Sequence, residues 1–378
     1  MIPGRRFVHL VLSNMASTGR IEYSLRHIDA TRFFYPTTPP QQPPSALAHR
    51  PPSEPSRLPP PVMGFTPPNS SSPAERGMEF MLLGTDKIVA SDQTGRAVLY
   101  DPARHTVRTM PSLTSPKYSP VALTVNGNDL YVMNAIPNLH STMHFDGHDH
   151  GFDQLAFQSD SSSPTNQEGD WCCSDLSPIP CERDEPDPQH GVIRAATTVD
   201  GGSSILVSKH GMGTYAFDTA RDEWSKVGRW MLPFAGQGEF VPKHGLWFGL
   251  TTRTSDVRDS DTDLLCAVDL GSTTTTKQRQ RPPTVRGLSG HAVVPPVEWG
   301  WMPETSRLVH LGDARFCVAR FFNCEASARR YALFAGVEVE RYGGDGDADA
   351  DADAGELRMV MHKSEVYVLP RELMYWVL

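Results

Sequence analysis

Two stretches of this chain are nearly the same sentence. Gly95-Arg-Ala-Val-Leu-Tyr-Asp-Pro-Ala-Arg-His-Thr-Val107 and Gly211-Met-Gly-Thr-Tyr-Ala-Phe-Asp-Thr-Ala-Arg-Asp-Glu-Trp224 each carry an aromatic-bearing strand into an aspartate, Asp101 or Asp218. A tight polar turn follows, and an apolar residue (Val107, Trp224) stands six positions past the aspartate. Strand–turn–strand units that repeat along a chain are the sequence mark of a β-propeller blade. The repeat predicts a shape and leaves the chemistry open.

Strand patterns fill the chain from Met78 onward, and no amphipathic helix competes with them. A first group runs over 79–83, 87–91, 97–101 and 107–111, and a second over 120–125, 129–134, 152–158 and 171–176. A third covers 191–198, 204–208, 213–218 and 223–230, and a fourth 238–241, 245–250, 264–269 and 284–287. A fifth covers 307–311, 316–321, 331–340 and 356–362. Segments 366–369 and 374–378 are left at one end, and two strands at 6–13 and 20–27 at the other. The expectation is an all-β, kelch-like β-propeller of about six blades, with five or seven as alternatives. Kelch blades average about 50 residues, and the N- and C-terminal strands would close the ring and remove its exposed edges.

Within the repeat, Asp101 and Asp218 are expected to start turns by accepting from backbone N–H groups two residues on. Gly201-Gly202 fills a turn that needs glycine. Tyr100, Tyr215 and Trp224 are expected to pack between neighbouring sheets.

Residues 36–73 hold 14 of the 33 prolines. Proline lacks a backbone donor, so this stretch is expected to stay out of any sheet ladder. The domain reading is therefore 1–30 as strands of the closing blade, 31–77 as a Pro-rich flexible insertion, and 78–378 as the blades.

A formal charge of −9 argues against a nucleic-acid surface as the main business of the chain. No apolar run approaches the ~20 residues of a membrane span. The six cysteines (Cys172, Cys173, Cys181, Cys266, Cys317, Cys324) form no C-x-x-C pair, and Cys266 and Cys317 sit in apolar strands. A reduced protein of the cytoplasm or nucleus is the expectation. No acid precedes Glu22, so an organellar transit peptide is compatible with the same composition.

The chain resembles a large plant family, expanded in grasses, known as a domain of unknown function with kelch-like or F-box-associated-like character. The resemblance is carried by Arg5-Arg-Phe-Val-His-Leu-Val, Tyr23-Ser-Leu-Arg-His-Ile-Asp, Val89-Ala-Ser-Asp-Gln-Thr-Gly-Arg, Asp129-Leu-Tyr-Val-Met and Gly211-Met-Gly-Thr-Tyr-Ala-Phe-Asp. His244-Gly-Leu-Trp-Phe-Gly-Leu, Phe316-Cys-Val-Ala-Arg-Phe-Phe and Gly336-Val-Glu-Val-Glu-Arg extend it toward the C-terminus. It implies a propeller and transfers no activity, cofactor or catalytic residue. An F-box would imply ubiquitin-ligase substrate recognition, and no helical F-box-like segment precedes Met78.

Several constellations invite a chemical reading. His144, His148 and His150, with Asp146 and Asp149, are competent ligands for zinc or copper, but they fall in a loop with no second shell readable. The run Asp345–Glu356 spaces its acids like a calcium loop yet puts Ala350 where that loop needs glycine. Cys172-Cys173 has no evident cation beside it to activate a thiol. Hydrolase elbows, sialidase-type turns and phosphate-binding glycine loops are absent from the sequence.

No catalytic, cofactor-binding or metal residue is therefore assigned, and no cofactor is expected. The reading is a non-enzymatic, monomeric protein-interaction module with a protein partner and neither nucleic acid nor membrane. Loops 135–151, 159–190, 251–262 and 270–283 would carry its specificity. The rival reading is a small-ligand-binding or enzymatic propeller that uses the central channel. A third is an adaptor whose Pro-rich segment recruits the partner.

Overall fold

A computed structural model describes residues 4–15, 20–36, 55–68, 77–136, 151–159, 169–180, 189–251, 265–271, 281–286, 288, 295, 299–342, 356–369 and 374–378. Its strands in chain order begin with β1 (Phe7–Met15), β2 (Ile21–Asp29) and β3 (Met63–Phe65). Next come β4 (Met78–Leu83), β5 (Lys87–Asp92), β6 (Ala97–Asp101) and β7 (Thr106–Thr109), then β8 (Pro120–Val125), β9 (Asp129–Asn134), β10 (Phe152–Ser159) and β11 (Gly169–Asp175). They are followed by β12 (Ile193–Val199), β13 (Ser204–Lys209), β14 (Gly213–Asp218) and β15 (Glu223–Gly228), and by β16 (Phe234–Val241), β17 (Leu246–Thr251), β18 (Leu265–Val268) and β19 (Val285–Arg286). The last are β20 (Met302–Gly312), β21 (Arg315–Cys324), β22 (Arg329–Tyr342), β23 (Glu356–Leu369) and β24 (Tyr375–Val377). The helical elements among the described residues are 3-10 turns, such as Ala30–Phe33 and Asp200–Gly202. No helix among those residues is long and apolar enough to cross a membrane.

The chain divides into two compact units, one of Thr66–Gly238 with Leu270–Pro283, the other of Met1–Phe65, Glu239–Asp269 and Thr284–Leu378. In the first of these, β4–β7, β8–β11 and β12–β15 are four-stranded antiparallel meanders, each strand beside its sequence neighbour. Leu130 and Val132 pack with Met81, Leu83, Val89 and Leu99, while Tyr131 and Met133 pack with Ile205, Val207 and Phe217. Successive side chains of a strand leave opposite faces of the sheet, so Leu130–Met133 is apolar throughout because the sheet is covered on both sides.

The meanders of this unit touch through their first turns. Gly84 N–H donates to Thr124 Oγ1 (3.0 Å), and the Thr124 hydroxyl donates to Leu82 O (3.2 Å). Gly202 (φ +97°) lies so close to the β8–β9 turn that a Cβ would stand 3.0 Å from Val125 Cγ1. β12 then pairs in parallel with Gly236 and Gln237 of β16, and Thr197 Oγ1 donates to Gly238 O (2.7 Å).

In the other unit β24 pairs antiparallel with β1, so strands from the two ends of the sequence share one sheet of order β24-β1-β2-β3. His9 and Leu378 exchange both backbone hydrogen bonds, at 3.0 and 2.9 Å. The β20–β23 meander is buried on both faces: Phe316 and Val318 face Phe248 and Leu250, whereas Cys317, Ala319 and Phe321 face Leu10, Leu12 and Phe33.

Two expectations are corrected. Within the Pro-rich stretch, Met63–Phe65 is free of proline and pairs with β2 in register with Tyr23–Leu25. Ser56 also bridges Tyr367 on the edge of β23. Residues 366–369 are not a separate strand but the end of β23, whose pairing with β22 continues past a register shift between Ala335 and Val337. That shift sets His362 and Lys363 opposite the single residue Gly336, which lets one long strand change phase.

Candidate functional site

The repeated aspartates are structural. Asp101 Oδ1 accepts from the N–H groups of Ala103 (3.0 Å) and Arg104 (3.2 Å), and Asp218 Oδ1 from those of Ala220 (3.0 Å) and Arg221 (3.1 Å). Each turn ends in a left-handed residue, His105 (φ 52°) or Asp222 (φ 55°). Tyr100 is fully buried. Phe217 makes a neighbour-sheet contact, packing on Phe152 (4.8 Å between centroids) and on Trp224 (5.0 Å), and Trp224 itself meets Phe152 at 5.6 Å. Tyr215 is buried and has the Lys226 ammonium over its ring at 5.5 Å.

A buried polar cluster lies beside the cysteine pair. Lys117 Nζ is 2.7 Å from Asp153 Oδ2, and both side chains are fully buried. The same carboxylate accepts from Thr114 N–H (3.2 Å) and from the Thr114 hydroxyl, and Lys117 also donates to Ser115 Oγ (3.0 Å). Burial and the Asp153 charge push the Cys173 thiol up to about 11, against the opposing pull of Lys117. A cation does stand near this cysteine, contrary to the sequence reading, but the neighbouring carboxylate outweighs it. The thiol is held protonated.

Near one end of the β8–β11 sheet, Asn134, Gly151, Phe152, Ile179, Gly191, Ile193 and Lys209 line a cavity with room for about 20 Å3 of water-sized occupants. That is room for a water or so. Lys209, itself buried, donates to Pro180 O at 2.6 Å.

A third cluster gathers around Arg5. Its backbone N–H donates to Leu311 O (2.8 Å), and Gly312 (φ +102°) approaches Gly4 so closely that a Cβ would stand 2.7 Å from Gly4 Cα. Burial pushes the Glu239 carboxyl up to about 7, with the Arg5 charge pulling the other way. Burial also lowers His310, whose Nε2 contacts Asp313 O at 3.1 Å, and Arg5 adds to that lowering. Sequence reading gave neither residue a site role: Arg5 entered it only as part of the family resemblance, and Glu239 sits in a Gly-rich strand without a motif.

Among the described residues, no group of three or more His, Cys, Asp or Glu is placed to hold a metal ion. His144, His148, His150, Asp146, Asp149, Cys181 and 345–355 of the acidic run lie outside the described residues, as do most of the long loops. Cys172, Cys173, Cys266, Cys317 and Cys324 are free thiols.

Antiparallel meanders packed face to face, with polar groups spent on turns and buried pairs, define an all-β protein. The chain belongs to a family described as protein of unknown function (DUF1668), which matches residues 5–367. It is also similar to the crystal structure of Kluyvelomyces marxianus Hsv2, at 9% identity over 94% of this chain and 84% of that chain. The TM-score is 0.34. No curated protein matches the chain.

Proposed function

We propose that the chain is a six-bladed, kelch-like β-propeller that acts as a non-enzymatic protein-interaction module. The observation that carries the reading is the sheet β24-β1-β2-β3, which takes strands from both ends of the sequence. Such a sheet is how a ring of blades disposes of its two open edges. Turn-to-turn contacts such as Gly84–Thr124 and Gly202–Val125 support it, since blades meet most closely at their innermost strands. A rigid ring offers loops from several blades to one partner, and it does so without chemistry of its own. Five free thiols fit a reduced compartment, cytoplasm or nucleus, and the plant family read from the sequence goes with the same proposal.

The competing reading is a channel that binds a small ligand, and the Arg5, Glu239 and His310 group is the observation in its favour. One experiment separates the two: gentle purification of the intact protein from its native source, followed by mass spectrometry. The interaction module predicts a reproducible stoichiometric protein partner. A clean monomer carrying a metal or small molecule contradicts it and favours the channel.

A further inference from the structure

Where the chain enters its Pro-rich stretch, a histidine fastens it to β23. Tyr35 N–H donates to His362 Nδ1 at 3.4 Å. The other ring nitrogen, Nε2, lies 3.3 Å from Glu338 Oε2, and the imidazole is 2% exposed. The rings of Phe34 and Tyr35 flank it, with centroids 4.9 and 6.0 Å away. The register shift of β23 against β22 builds the site, because His362 and Lys363 face the single residue Gly336. Gly336 in turn receives Phe33: a Cβ there would meet Phe33 O at 2.4 Å. The aromatic segment and the histidine are thus seated by one irregularity in the sheet.

An acceptor at Nδ1 and a carboxylate near Nε2 select the neutral imidazole with its proton on Nε2. A second proton can only go to Nδ1, where it turns the acceptor of the Tyr35 N–H into an opposing donor. We propose that His362 is an acid-sensitive latch that holds Phe34 and Tyr35 against β23 while neutral and releases them when Nδ1 is protonated.

The surrounding charges act in both directions. On β21, Arg315 binds Glu338 through Nε (3.1 Å) and sets its guanidinium over the Phe34 ring at 5.2 Å. On β22 stand Glu338 and Glu340, the latter paired with Arg358 of β23 at 3.0 Å. On β23, Lys363 lies over the Tyr35 ring at 5.0 Å, and Glu365 is held by Arg32 (2.8 Å) and Tyr367. Burial is the largest influence on His362 and disfavours the imidazolium; Glu338 opposes it, Arg315 reinforces it and Glu340 opposes again. The balance lies below the ordinary histidine value of 6.5.

The sign follows from linkage. The latched state binds the proton less well than the released state, so latching is at full strength above pH 6.5 and weakens as pH falls below it. The weakening stops once pH has passed the depressed latched-state value. For one linked proton, the protection of Tyr35 falls by up to about tenfold per pH unit within that window.

Amide hydrogen exchange of the full chain, followed by NMR from pH 8 to about 4.5, tests the latch. Ala30 N–H, bonded to Arg6 O at 2.9 Å, is the internal reference. The expected result is a Tyr35 protection factor that is level above pH 6.5 and falls below it, while that of Ala30 stays constant. His362→Asn, which offers an acceptor that does not titrate, should flatten the Tyr35 profile. Glu338→Gln should carry the fall to lower pH. A flat wild-type profile, the same fall in His362→Asn, or a parallel loss at Ala30 would overturn the proposal.

Discussion

Cys324 stands in its turn where Asp101 stands in another: a side-chain acceptor at the first position, and a left-handed residue four places on, Ala328 (φ 51°) against His105 (φ 52°). Hydrogen bonds from the Ser327 hydroxyl and from the backbone N–H groups of Ser327 and Ala326 lower the Cys324 thiol. The corresponding N–H groups of Ala103 and Arg104 serve the Asp101 carboxylate. Cys324→Asp should therefore fold normally, whereas Asp101→Ala and Asp218→Ala should each lose about 1–2 kcal/mol. Urea denaturation measures all three.

The same comparison orders the thiols. Burial pushes Cys266 up to about 12 and Cys317 higher still, and burial with Asp153 holds Cys173 at about 11. Cys324 is also buried, but the hydrogen bonds of its turn draw its thiol the other way. Among these four, Cys324 should be alkylated first by iodoacetamide at pH 7.5, as peptide mapping can show.

The Lys117–Asp153 pair leads to a larger loss. Each group is fully buried, and removing one partner strands the other charge. Lys117→Met or Asp153→Asn should cost about 3–5 kcal/mol, and the double variant should cost less than the sum. A thermal or urea double-mutant cycle checks it.

How much of this was legible in the sequence depended on range. The turns at Asp101 and Asp218, the glycine pair at Gly201-Gly202 and most strand limits follow from local pattern, because a short carboxylate or a positive φ leaves a local signature. Lys117 and Asp153 are 36 positions apart and carry no pattern linking them. Arg5 meets Glu239 only after the fold has formed. β3 was hidden by flanking prolines, and the length of β23 by the polar run His362-Lys-Ser-Glu365, which a shift at Gly336 absorbs.

Glu239 supplies a pH dependence. Its folded-state value of about 7 exceeds the ordinary 4.5, so between those values the folded chain holds the proton more tightly than the unfolded chain. Its contribution is fully present below pH 4.5 and is lost as pH rises through 7, at no more than roughly 1.4 kcal/mol per unit. Glu239→Gln should remove that slope and stabilise the protein at pH 8, as melting profiles across the range would record.

Gly336 tests the packing on which the latch depends. A Cβ would meet Phe33 O at 2.4 Å and Phe33 Cβ at 2.9 Å, so Gly336→Ala should displace the Ala30–Phe33 turn. The expected cost is about 1–3 kcal/mol, read by thermal melting.

The central claim is the closed ring, and a crystal structure of the intact chain tests it most directly. The account predicts six four-stranded sheets around one axis, with β24 paired to β1 through Leu10–Leu12 and Tyr375–Val377. Sheets stacked as a sandwich, or a β24 that does not pair with β1, would contradict it.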